Sequence, residues 1–206
     1  MKRKIIAVLI MMLLICISFS IGVSAGSEED PEIIDEEDTD VFNYLDIEKA
    51  WFYENESEPD YLFTALKIKE INPLHLKQHL TIHWEYNDIS CASSMIIGYG
   101  KPWYMFSAGY GHGWWFQEHY QQIEGEYDLE NGVIICKIPK SIIHNPQEGD
   151  VLENTYALTF QRFGFVGRMG FDRPLIRTIL YLVSGKNVVD YAPESIDYGR
   201  DYVIQY

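Results

Sequence analysis

The chain has 206 residues, 47% of them hydrophobic, and sets 16 basic against 31 acidic side chains for a formal charge of −15. A surface this acidic repels a phosphate backbone, so nucleic acid is excluded as a partner. The length fits one domain of ordinary size behind a leader, with enough residues to bury a core.

Met1-Lys2-Arg3-Lys4 gives a basic start, Ile5 to Val23 is almost uninterruptedly apolar, and Val23-Ser24-Ala25 ends in small residues. That order is a secretory signal peptide over residues 1–25, cleaved after Ala25. It places the rest outside the cytoplasm, secreted or at the cell surface, where disulfides and glycans are permitted. Contact with a membrane is expected only through an uncleaved form of this segment, since an apolar run of this length also spans a bilayer. Cys16 follows Leu14-Ile15 and lacks the small residue that a lipidation site needs before it.

Without Lys2, Arg3 and Lys4 the mature chain holds 13 basic and 31 acidic side chains, a formal charge of −18. From Glu28 to Asp60 there are 15 acidic residues, opposed only by Lys49. Residues 26–43 are too poor in apolar area and too self-repelling to order, which predicts a disordered acidic tether. The acid spacing there lacks the Gly and terminal Glu of a calcium loop. No metal and no cofactor is expected.

From residue 44 to 206 the pattern is short alternating runs between turn residues, the signature of a mainly β, antiparallel sandwich, jelly-roll or immunoglobulin-like, with one or two short helices. Tyr44 to Tyr53 predicts the first strand, with Leu45, Ile47, Trp51 and Tyr53 on one side and Asp46, Glu48 and Ala50 on the other. The polar turn Glu54 to Asp60 leads into a second strand, Tyr61 to Ile68. This turn holds Asn55-Glu56-Ser57, the chain's one N-glycosylation sequon.

Leu80 to Tyr86 is the cleanest alternation, with Leu80, Ile82, Trp84 and Tyr86 inward, and Asn87-Asp88 turns it into Ile89 to Tyr99. Trp103 to Ala108 resumes after Lys101-Pro102, and Trp114 to Leu129 holds one or two further strands. Asn131-Gly132 then turns into Val133 to Ile138, a helical turn follows at Pro139 to Ile143, and Tyr156 to Phe165 is a late strand. Asp172 to Gly185 repeats Leu175, Ile176, Ile179, Leu180 and Val183 near a helical period, which predicts a helix over 174–184. No repeat or second break in composition divides residues 44–206, so one domain is expected.

The succession Asp46-Ile47 with Trp51, then Leu62 to Ile68, then Gly125-Glu126-Tyr127-Asp128 with Gly132 to Ser141, then Asp190-Tyr191-Ala192-Pro193 with Gly199-Arg200-Asp201-Tyr202, resembles secreted archaeal cell-surface β-sandwich domains. These are similar to the sandwiches grouped with carbohydrate-binding and DOMON-like modules. The resemblance covers residues 44–206 apart from Asp172 to Gly185. It implies a non-catalytic extracytoplasmic module and carries over no binding residue. Similar proteins often end in a membrane or sorting segment, whereas this sequence stops at Tyr206, so C-terminal anchoring is not expected.

Aromatic residues crowd the stretch from Tyr99 to Tyr120. Trp103, Tyr104, Tyr110, Trp114, Trp115 and Tyr120 are the candidate ligand-binding residues, because sugars stack on exposed rings and Gln117, Glu118, Gln121 and Gln122 would edge such a platform. The competing reading buries half of them as core. The partner implied is a polysaccharide or another cell-envelope component. The alternative function is a secreted glycosidase-like hydrolase with paired carboxylates, for which Glu124 and Glu126 share a strand face.

His75, His79 and His83 recur every four residues, a spacing that gathers imidazoles on a helix but not on the strand predicted through His83. They are expected as exposed strand and loop residues. Cys91 and Cys136 remain in the mature chain, an even count in an oxidising compartment. They are either a disulfide between neighbouring or facing strands or two separate buried thiols.

Overall fold

The computed structural model describes residues 26–72, 78–97, 105–111, 119–161, 189–193 and 198–206. Two antiparallel sheets pack face to face as a β-sandwich. The first has the order β1 (Ile33–Ile34), β2 (Ile47–Tyr53), β3 (Tyr61–Ile68), β9 (Val133–Pro139) and β8 (Glu124–Asp128). In the second, β11 (Val189–Ala192), β10 (Val151–Gln161), β4 (Gln78–Tyr86), β5 (Ile89–Ile97), β6 (Met105–Tyr110) and β7 (Gln121–Gln122) run side by side, and β12 (Tyr202–Val203) pairs with β10. The expected helical turn is a 3-10 turn at Lys140–Ile143. The helix expected over 174–184 lies outside the described residues, as does the signal peptide of residues 1–25.

The β4–β5 hairpin follows directly from the sequence. Asn87 and Asp88 both take positive φ, 52° and 60°, which gives a two-residue turn the twist its strands need. Tyr86 then pairs with Ile89, and Leu80, Ile82, Trp84 and Tyr86 all enter the core. At Gly132, φ is +71° and an added Cβ would lie 2.1 Å from the Ile68 carbonyl oxygen, so both conformation and space require glycine.

The first predicted strand is corrected by a bulge. Ile47 pairs with Ile68 but Lys49 already pairs with Lys67, so one extra residue enters β2 and reverses its faces. Ala50 and Phe52 join Ile47 in the core, while Trp51 and Tyr53 lie on the outer face; Tyr53 stacks on Phe63 with ring centroids 4.9 Å apart. Phe52 meets Trp84 edge-on across the sandwich at 5.5 Å, and Tyr202 closes the group from β12. Phe160, partly buried, packs with Leu158 and Val189 in a separate cluster.

A polar contact crosses the core. Thr64 of β3 and Ser93 of β5 meet hydroxyl to hydroxyl at 2.7 Å, so each satisfies the other in a place where an orphaned hydroxyl would cost stability. Beside them lies a cavity of about 10 Å³ walled by Leu66, Leu80, Ile82, Met95, Ile134 and Cys136.

Residues 26–43, expected as a disordered tether, lie on the sandwich instead. Ile33 is fully buried against the core, β1 pairs with β2, and Val41 packs with Tyr44 and Leu45. Like-charge repulsion was the reason to expect disorder, and the fold supplies the missing cations. Glu28 reaches Lys67 at 2.7 Å and Lys49 at 3.4 Å, Asp30 reaches Arg200 at 2.7 Å, and Glu37 reaches Lys69 at 2.8 Å.

Candidate functional site

Among the described residues, a group of three carboxyl side chains forms where the N-terminal segment meets β11. Asp190 belongs to β11, where it pairs with Thr159 of β10, and is 3% exposed. Its Oδ2 accepts the Ile47 amide at 2.8 Å and its Oδ1 accepts the Tyr191 amide at 3.0 Å. The first of these bonds joins the rim of the seven-stranded sheet to the start of β2 in the other sheet. Asp35 and Asp38 approach from the N-terminal segment, and one oxygen of each of the three carboxyl groups lies within 4.8 Å of the others.

Burial is the largest cause that raises the Asp190 pKa, to about 8; Asp35 and Asp38 add to the rise and the Ile47 amide opposes it. Asp190 can hold a proton there, as its raised pKa implies, or the three carboxyl groups can supply three of the six to eight oxygens that a calcium ion takes. Asp46, 1% exposed, is separately engaged with Lys69 at 2.8 Å.

Two other buried acids act in a related way. Glu32 accepts the Phe52 amide at 2.8 Å, holding the N-terminal segment to β2, and burial pushes its pKa up to about 7. The Glu54 side chain is fully buried; its Oε1 lies 2.6 Å from Lys140 Nζ, and its Oε2 accepts the Gln205 amide at 2.6 Å and the Tyr202 hydroxyl at 3.2 Å. Lys140, 4% exposed, also donates to the Tyr206 carbonyl.

The residues singled out in the sequence fall elsewhere. Trp103, Tyr104, Trp114 and Trp115 lie outside the described residues. Tyr110 does not offer an open ring: His119 stacks on it at 4.4 Å and His144 lies 4.0 Å from it, centroid to centroid. Tyr120 is only partly exposed, and burial raises its hydroxyl pKa. Neither of these two tyrosines forms an exposed platform.

His75 is outside the described residues, while His79 and His83 are buried rather than exposed. They stack in parallel on their cross-strand neighbours Phe160 and Tyr156, at 4.5 and 4.6 Å. Burial lowers the His83 pKa to about 3, so it is neutral at ordinary pH. Residues four apart on a strand stand roughly 13 Å apart, which keeps the two rings from sharing a metal.

Cys91 and Cys136 are free thiols and not a disulfide. Both belong to the core, and burial raises each to a pKa of about 12; at Cys136 the hydroxyls of Thr64 and Ser93 oppose the rise. Glu124 and Glu126 do share a face of β8 and are exposed. Glu124 is 4.0 Å from Lys137. Asn55 stands exposed in the β2–β3 turn.

Sequence reasoning missed the Asp35, Asp38 and Asp190 group because Asp190 is about 150 residues from the other two along the chain. The only local signal was an aspartate in a short apolar run, Val188-Val189-Asp190-Tyr191. Comparison with protein-family models, with curated proteins and with solved structures gives no match.

Proposed function

We propose that this chain is an exported, non-catalytic module of the cell envelope whose primary task is structural. The observation that carries this reading is the use made of its buried carboxyl groups. Glu32, Glu54 and Asp190 each accept a backbone amide from a distant part of the chain, so that the groups with the most reactive potential are spent joining segments together. The basic, apolar, small-residue order of Met1 to Ala25 supports export. The acidic surface then keeps the module soluble and separate from anionic polymers.

Binding of a polysaccharide through aromatic rings remains part of the proposal for Trp103, Tyr104, Trp114 and Trp115, while Tyr110 and Tyr120 serve packing. The experiment is fractionation of cells producing the full chain, with N-terminal sequencing and a glycan array on the mature protein. The proposal expects an envelope or medium fraction beginning at Gly26. A cytoplasmic chain that retains Met1 overturns it, and hydrolysis of an arrayed glycan would establish the glycosidase alternative instead.

A further inference from the structure

We infer that Asn55 is an acceptor for an N-linked glycan, a modification that rests on the export proposed above. Three observations converge on it. Asn55-Glu56-Ser57 is the one Asn-x-Ser/Thr sequence in the chain, with Glu and not Pro between. It lies in the turn between β2 and β3, where Asn55, Glu56 and Ser57 are all exposed and none belongs to a strand ladder. A bulky, hydrated substituent there displaces no packing.

The third observation is the conformation of the carboxamide. Its Oδ1 accepts both the Ser57 amide, at 3.0 Å, and the Ser57 hydroxyl, at 2.8 Å. The carboxamide oxygen and the sequon hydroxyl are therefore already in contact, on a residue that is exposed. The turn is closed by a Glu58 amide bond to the Asn55 carbonyl at 2.8 Å and a Tyr61 amide bond to the Glu58 carbonyl at 3.1 Å, so the exposed sequon sits on a defined base.

The donor must be a sugar carried on a lipid phosphate, reached by a transferase on the far side of the membrane. Nδ2 forms a bond to the anomeric carbon, the bond from that carbon to the phosphate oxygen breaks, and the lipid phosphate leaves with the electron pair. The proton lost from Nδ2 passes to a base of the transferase.

The test expresses the full chain in a host that N-glycosylates secreted proteins, once with residues 1–25 and once with the host's own signal peptide in their place. Intact mass and glycopeptide mapping should show a glycan on Asn55, lost in Asn55→Gln and Ser57→Ala and retained in Ser57→Thr. Exported protein with bare Asn55 from the host-signal chain overturns the inference. Occupied Asn55 in that chain, with no export of the chain bearing residues 1–25, upholds the inference and overturns only the proposed export.

Discussion

Glu54 and Asp190 are both buried carboxyl groups, and both tie a backbone amide from another segment, yet one faces an ammonium and the other faces two carboxyl groups. The difference separates two ways of keeping an acid inside a protein. Glu54 is matched by Lys140, 2.6 Å from one oxygen, and by two donors that fill the other. Asp190 stays protonated because burial and its acidic neighbours make ionisation costly. A proton held on a buried acid makes stability depend on pH across the neutral range.

The comparison breaks most sharply at the ion pair. Lys140→Met leaves the buried Glu54 carboxyl without its cation and should cost about 3 to 5 kcal/mol in urea unfolding, while Lys140→Met with Glu54→Leu recovers most of that loss. Truncating Trp84 to alanine, an apolar control equally deep in the core, should cost a similar 3 to 5 kcal/mol. If the single lysine variant unfolds at the wild-type midpoint, the buried pair is not holding the C-terminal strand.

At the other carboxylates the effect depends on pH. Glu32 and Asp190 bind protons more tightly folded than unfolded, with folded pKa values near 7 and 8 against about 4 in the unfolded chain. Their contribution is complete below about pH 4 and fades as pH rises through 7 and 8. Wild-type stability should therefore fall by several kcal/mol between pH 5 and pH 8.5. Asp190→Asn keeps an acceptor for the Ile47 amide and removes the titration, so it should be the more stable protein at pH 8.5 and flatten the curve. A wild-type curve that rises over this interval would reverse the assignment.

The smallest effect belongs to the solvent-facing pairs. Glu37 is 77% exposed beside Lys69, and Glu37→Gln should leave the unfolding midpoint unchanged within error, because such pairs are screened by water and salt.

What could be read from the sequence was the local, repetitive part of the fold. Leu80 to Tyr86 alternates strictly and Asn87-Asp88 can only be a tight turn, so strand, register and hairpin were all legible there. Trp51 was assigned to the wrong face because a single bulge residue between Ile47 and Lys49 leaves no mark in a period-two pattern. The acids of residues 26–43 looked self-repelling because their partners, Lys67, Lys69 and Arg200, are distant in the chain. The short strands β1, β11 and β12 carry too few residues for any periodicity, and the Asp190 cluster depends on two of these regions meeting.

The most direct measurement is a carbon-13 NMR titration of the side-chain carboxyls in residues 26–206, in chelator-treated buffer, with Asp190→Asn to assign its resonance. Asp190 titrating near 8 and Glu32 near 7 is the result expected of carboxyl groups buried as protonated clamps between segments. Both groups titrating near 4, with ordinary solvent exchange, would contradict that account.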